Sequence, residues 1–267
     1  MLSKVGQVVG DFSLSGQAKA GSQPTAEIVL GPAKAKFKVS DLQRRALLRF
    51  VQEQGIQQAN MEAILSKAIP AIEESGDAES LDEDWIAHFF GRCRTISNEA
   101  MRVLWAKVLA GEVNKPGQFS KRTINLLGEL DRQDIEGFAL LCSFSIYSIA
   151  SPVILFKSSQ IAASYAPTLY IKHGLDQAAL RHLDSLGLIH FDTRSEYTKP
   201  PGPIRYFGHS LTVNPDGPLK VGNAIFTKAG WELARVVTAR EVPEFFELLK
   251  RTWRGIIVEG AATSPRK

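Results

Sequence analysis

DWIAHFFGRCRTISNEAMRVLWAKVLAGEVNKPGQFSKRT, residues 84–123, decides the fold class of this chain. Its apolar residues recur at three- and four-residue steps in two runs: Ile86, Phe89, Phe90 and Cys93, then Met101, Leu104, Trp105, Val108 and Leu109. That period belongs to helices that bury one face. Asp82 precedes the first run, Ser97 the second, and Ser120 a third that carries Ile124 and Leu127. A carboxylate or hydroxyl in such a place accepts from the unpaired amides of a first helical turn. The acids Glu83 and Asp84 also suit the positive end of the helix dipole. Gly111 and then Pro116-Gly117 stop the second helix. Trp85 and Trp105 fall on the apolar stripes, which predicts packing residues and not platforms for stacked bases.

Upstream, Ser40 or Asp41 caps a helix whose inward positions are Leu47, Phe50 and Val51. A second run carries Met61, Ile64, Leu65, Ala68 and Ile72, and Pro70 should kink it. Gly55 either separates two helices here or lies within one long helix. The polar run from Glu73 to Ser80 reads as a loop. Downstream, a helix from about Arg132 turns Ile135, Phe138, Leu141 and Cys142 inward. Residues 40–145 are thus expected to form a helical bundle. Residues 1–39, rich in Gly, Ala, Ser and Lys, read as a flexible lead holding at most one short strand.

The pattern changes after Ser151-Pro152. Ile154–Phe156 reads as a short strand, and Ser158-Ser159 opens a brief helix. In LDQAALRHLDSLGLIHFD, residues 175–192, leucines 180, 183 and 186 precede Gly187 and a strand-like LIHF. The polar, proline-rich span from Thr198 to Pro203 reads as a loop leading to FGHSLTV (207–213) and NAIFTKAGWELARVV (223–237). Helix, glycine, strand, loop, strand, helix is the order of a winged helix, and Phe226-Thr-Lys-Ala-Gly-Trp-Glu-Leu233 resembles the ending of many such domains. The expected fold class is mainly α, an N-terminal helical bundle followed by a winged-helix-like α+β domain over 146–240. Residues 241–267 form a C-terminal helix, with Phe246, Leu249, Trp253 and Ile257 on one side, and a tail frayed from about Gly260.

Composition sets the class of object. The chain has 267 residues, 44% hydrophobic and 22% charged, close to the globular norm. Two cysteines, Cys93 and Cys142, sit on apolar helical faces without a CxxC pair, which suits a reducing compartment. No signal-like segment is seen, and no window reaches the roughly 18 apolar residues of a membrane span. The expected location is the cytoplasm, with no membrane contact. Charge is uneven: residues 1–58 hold eight Lys/Arg against four Asp/Glu, residues 59–100 three against nine, and residues 201–267 ten against six. Basic ends around an acidic waist can steer an acidic partner.

The chemical inventory is sparse. Neither a phosphate-cradling GxxxxGK[ST] nor a GxGxxG after a strand is present. The five histidines are scattered, without the close His/Cys pairs of a zinc site. No catalytic, cofactor-binding or metal-binding residue is assigned, and no cofactor is expected. One candidate anion site is read where Lys115, Lys121 and Arg122 surround the Ser120 helix start, whose amides point outward, against the plainer alternative of a capped turn with surface lysines. The candidate recognition helix over 176–185 offers Gln177, Arg181 and His182 beside Asp176 and Asp184, poor equipment for phosphate. Arg194, Lys199, Arg205 and Lys220 add charge on the wing. Gln177, Arg181, Arg205 and Lys220 are the candidate nucleic-acid contacts.

Asp84-Trp85-Ile86, the block Leu104–Glu112, Lys115–Ser120 and the block Gln58–Ile64 together resemble an uncharacterised bacterial family known as a domain of unknown function. The likeness covers about residues 40–240. A looser similarity of the helical part runs to bacterial abortive-infection proteins of the alpha type, which implies a link to phage defence. That resemblance brings no catalytic residues. The expected function is a non-enzymatic interaction or regulatory protein whose bundle mediates assembly and whose winged helix binds a partner, with a protein partner or self-association expected. The alternatives are a DNA-binding transcriptional regulator and a defence effector with hydrolase or nuclease activity.

Overall fold

The structure, a computed structural model, describes residues 41–148, 152–154, 166–192, 194, 197–199, 202–213, 219–253 and 257–260. The expectations for residues 1–39, for Phe156 and for a helix at Ser158-Ser159 lie outside the described residues. Most of what is described is helical, and the strands pair antiparallel. Two compact units divide between Asn114 and Lys115, at the turn that Pro116-Gly117 imposes. The expected bundle border at 145/146 therefore falls later in the chain than the division in the structure.

The first unit holds α1 (Asp41–Ala68), α2 (Glu83–Cys93) and α3 (Glu99–Asn114). α1 is a single helix that runs through Gly55. Pro70 ends it in a 3-10 turn, Ile69–Ala71, and does not kink a longer helix. Its second half packs against α3 and buries Ile64, Leu65 and Ala68. Leu47, Phe50 and Val51, expected inside, are exposed at 53%, 56% and 43%, because among the described residues of this unit the packing partners of α1 meet its second half. Asp82 caps α2 by accepting from the Trp85 amide at 2.7 Å. For α3 the cap is Asn98, which accepts from the Met101 amide at 3.1 Å, and not Ser97 as expected. Trp85 stacks on Phe89 at 5.1 Å, and Phe89 meets Trp105 edge-on at the same separation. Both indoles are buried, so the tryptophans pack helices together as their phase predicts. Asn60, buried in α1, donates to the Arg94 carbonyl at 2.8 Å and accepts from Arg102 at 2.5 Å. This amide ties α1 to both ends of the α2–α3 turn and accounts for an asparagine on an apolar face.

The second unit holds α4 (Lys121–Glu129), α5 (Arg132–Ser143), β1 (Ser145–Ser148), β2 (Pro152–Ile154), α6 (Ala166–Lys172), α7 (Gln177–Ser185) and β3 (Ile189–Phe191). It continues through β4 (Tyr197–Lys199), β5 (Gly202–Tyr206), β6 (His209–Val213), β7 (Leu219–Gly222), β8 (Ala224–Phe226), α8 (Lys228–Ala234), α9 (Pro243–Thr252) and β9 (Ile257–Gly260). α4 and α5, expected in the bundle, belong here because α4 packs on α8 and α5 on α7. One sheet runs β3-β8-β2-β1-β5-β6-β9, and β4 pairs with β7. The span expected as a loop from Thr198 to Pro203 contributes to β4 and β5. FGHSLTV forms a hairpin with β5, not a partner for β3; β3 pairs instead with β8, Ile189 opposite Phe226. Ile257 leaves the helical phase of α9 and pairs with Val213 in β9, and Gly260 is that strand's last residue.

The join between α7, β3 and α8 is built tightly. Gly187, at φ 77°, ends α7 in the left-handed conformation that glycine adopts without penalty. The Leu188 amide then returns to the Leu183 carbonyl at 3.1 Å. The Leu188 carbonyl accepts from the Thr227 amide at 3.1 Å, and the Thr227 hydroxyl, which donates to the Gly187 carbonyl at 2.7 Å, caps Gly230 of α8. A Cβ on Gly230 would lie 1.8 Å from the Leu188 carbonyl oxygen. Gly230→Ala is expected to cost at least about 2 kcal/mol, because backbone and not a flexible side chain must yield. Gly55→Ala, in an exposed helix interior with open space at Cβ, is expected to gain about 0.5–1 kcal/mol. Urea unfolding of both variants checks the pair.

Candidate functional site

The Ser120 helix start already holds an anion, supplied by the protein itself. Glu232 of α8 is buried, and its Oε2 accepts from the Ser120 amide at 2.8 Å, the Ser120 hydroxyl at 3.2 Å and the Thr123 hydroxyl at 2.6 Å. Thr123 is itself fully buried. One amide and two hydroxyls at this helix start stabilise the carboxylate as they would an oxyanion from solution. Lys228 stands 3.8 Å from the other oxygen but is well exposed, so it adds little. Lys115, Lys121 and Arg122 are exposed around this start. An external anion there would have to displace Glu232.

The remaining candidates lie on separate elements. Gln177 and Arg181 are exposed on α7, Arg205 is exposed on β5, and Lys220 lies in β7 opposite Thr198. His182 of α7 is held by Asp134 of α5, Nε2 to Oδ1 at 2.6 Å. Asp134 also accepts from the Asp131 amide at 2.9 Å, and Asp131 accepts from the Asp134 amide in return. This reciprocal pair is a capping box. Burial disfavours charge on Asp134, but the Asp131 amide and the His182 ring outweigh it and hold the carboxyl below its ordinary range. Asp184 accepts from the Phe191 amide at 3.2 Å, fastening α7 to β3.

Burial pushes the Cys93 thiol up to about 12, and Cys142 is pushed up as well, so neither offers a thiolate near neutrality. Among the described residues no group of three or more His, Cys, Asp or Glu is placed to hold a metal ion. Among the described residues no helix is long and apolar enough to cross a membrane. A groove of about 460 Å³ opens between Leu169 and Lys172 of α6 and Pro243, Glu244, Leu248 and Arg251 of α9. Lys172 and Glu244 face each other across it at 3.7 Å. Glu244's own amide at the start of α9, aided by Lys172 and His173, holds its carboxyl below the usual range.

A family described as a protein of unknown function matches residues 44–250. The chain belongs to this family, DUF2806. Its span runs from the exposed half of α1 to the end of α9, so the family shares both compact units. No curated protein and no solved structure matches the chain.

Glu232 and the groove escaped the sequence reading. A lone acid among Ala229, Gly230, Leu233 and Ala234, all buried, was the available signal for the first. The groove gave none, because its walls come from helices about 70 residues apart.

Glu232→Ala should cost about 2–4 kcal/mol, since it strands a buried hydroxyl and an amide. Denaturant unfolding reads that loss. A carboxyl whose folded pKa is depressed stabilises above its unfolded pKa, and that stability is lost as pH falls through the folded value. His182→Ala should therefore destabilise the protein near neutrality, and the deficit should shrink as pH falls below the ordinary carboxylate range. Urea midpoints across that range test the sign.

Proposed function

We propose that this protein is a cytoplasmic bacterial interaction or regulatory protein without enzymatic activity, whose second unit is a winged-helix module that binds a protein partner through α7. Helices α5, α6 and α7 followed by strands in the order β3-β8-β2 support the module, with the β4–β7 excursion in the place of a short wing. The turn Gly174-Leu175-Asp176 joins α6 to α7 as a helix-turn-helix pair would be joined.

The surface of α7 carries the choice of partner. Its exposed residues are Asp176, Gln177, Ala178, Arg181, His182 and Ser185. Asp176 caps the helix by accepting from Ala179 at 2.8 Å, and His182 is engaged by Asp134. One arginine against one carboxylate gives no ladder of cations for phosphates, which supply most of the affinity of duplex binding. A short neutral helix with a small apolar centre suits a protein surface better.

A DNA-binding regulator is the second reading, favoured by Arg181 and Arg205, both exposed, and by Lys220. The implied place in phage defence belongs to the first reading and is tested by plating efficiency on cells with and without the gene. For the partner, a photo-crosslinking residue at Ala178 should capture one defined protein that the same residue at Lys115 does not. Equal capture from both positions counts against the α7 surface. Binding of labelled duplex at about 50 mM salt, weakened several-fold by Arg181→Ala with Lys220→Ala, would replace this reading with the DNA-binding one.

A further inference from the structure

Three of the four tryptophans, Trp85, Trp105 and Trp253, are buried in the core. Trp231 is the exception: it is half-buried, on a helix that hides five of its seven residues. What α8 turns outward is one stripe at helical steps of three and four, Lys228, Trp231 and Arg235, the last at its C-cap and still in helical conformation. Lys228 and Arg235 are exposed, and the Arg235 guanidinium lies over the indole, 4.9 Å from the ring centroid. Trp231 also meets Tyr147 of β1, with centroids 6.0 Å apart and planes tilted by 40°, so the two rings adjoin without stacking on each other. Tyr147 is half-buried and stands directly opposite Arg205 of β5, which is exposed. Residues paired in this way project from the same face of a sheet. Two aromatic rings are thus bracketed by three cations on one surface of the second unit.

We propose that this face binds single-stranded nucleic acid, with bases against Trp231 and Tyr147 and phosphates on Lys228, Arg235 and Arg205. The site goes beyond the α7 surface and uses none of its residues. Charge and ring chemistry together select the occupant. Among the described residues neither Arg205 nor Arg235 sits in an ion pair. Lys228 stands 3.8 Å from Glu232, yet 81% of its side chain is exposed. Glu232 itself is buried and turned toward Ser120 and Thr123, so no carboxylate of α8 offsets the stripe. A guanidinium held over a ring keeps its N–H donors in its own plane, where they can fork onto a phosphate. An acidic peptide would answer the cations but leave both rings idle. A duplex offers phosphates while its bases stay paired with each other. A single strand brings phosphates and unpaired bases at a regular repeat, the combination that cation-flanked aromatic surfaces hold. These five side chains meet base and phosphate and not the sugar, so DNA and RNA strands are equivalent ligands.

The test uses the full chain and fluorescein-labelled strands of deoxythymidylate and of uridylate, each about 12 nucleotides long, followed by anisotropy. Both should bind at about 50 mM salt, and log affinity should fall against log salt with a slope of about −2, as three phosphate contacts on a single strand give. Arg205→Ala combined with Arg235→Ala should flatten that slope to about −0.7. Trp231→Leu should weaken binding about tenfold at an unchanged slope, and Trp231→Phe should restore most of the loss. A strand should quench tryptophan emission in the native chain and not in Trp231→Phe, since the other three indoles are buried. Thermal midpoints report whether each variant folds, and the two arginine changes, at exposed positions, carry the test if Trp231→Leu does not. Failure of both strands to bind at about 100 µM protein overturns the proposal. So does binding that Trp231→Leu leaves intact or that a glutamate polymer of equal charge displaces as well as an unlabelled strand does, which assigns the face to an acidic protein. Equal affinity for duplex, or binding confined to one of the two sugars, overturns it too. Strand binding abolished by Arg181→Ala with Lys220→Ala and indifferent to Arg205 and Arg235 places the ligand elsewhere. None of these results touches the Ala178 cross-linking outcome, so the two readings fail separately.

Discussion

One carbonyl group, that of Leu188, organises the second unit. It receives the amide of Thr227 while the first turn of α8 comes to rest over it, and the contact is so close that only glycine fits at position 230. The phrase Thr-Lys-Ala-Gly is therefore a joint. The threonine closes the helix start, and the glycine removes the one atom that would keep helix and strand apart. Once α8 is seated, β8 lies beside β3, and the next residue but one, Glu232, is aimed at the start of α4.

The Glu232 cluster shows how a surface motif becomes an internal one. Lysines, an arginine and a capped helix start describe an anion site in any linear reading, and the physics of such a start is unchanged when the anion is covalently part of the protein. A buried carboxylate requires several donors to offset its desolvation. Two hydroxyls and an amide on α4 supply them, so the cluster fixes the partner of α4 by specificity as much as by strength. The Asp134–His182 pair plays a similar role between α5 and α7, with more of the histidine open to water.

These ties also explain why α4 and α5 group with the sheet-containing unit. Their apolar periodicity is the same as that of α2 and α3, and periodicity states only that a helix has a buried side. Which neighbour covers that side depends on donors and acceptors more than 100 residues away, such as Glu232. The exposed half of α1 is the complementary case: Leu47 and Phe50 have the phase of core residues, yet among the described residues of the first unit none covers them.

Local chemistry determined a good deal of this protein. The capped helices from Asp82 to Glu129, the core role of Trp85 and Trp105, the stop at Pro116-Gly117 and the short strand before α8 all follow from residues within one or two turns of each other. Tertiary structure alone decided the division after Asn114, the pairing of β3 with β8, the recruitment of 197–213 into strands, and the use of the Ser120 start by Glu232. The physical reason is range. Caps, turns and helical phase are set by neighbours a few residues apart, whereas strand partners and buried charges find their complements across the whole chain, and a linear pattern carries no record of which complement it will meet.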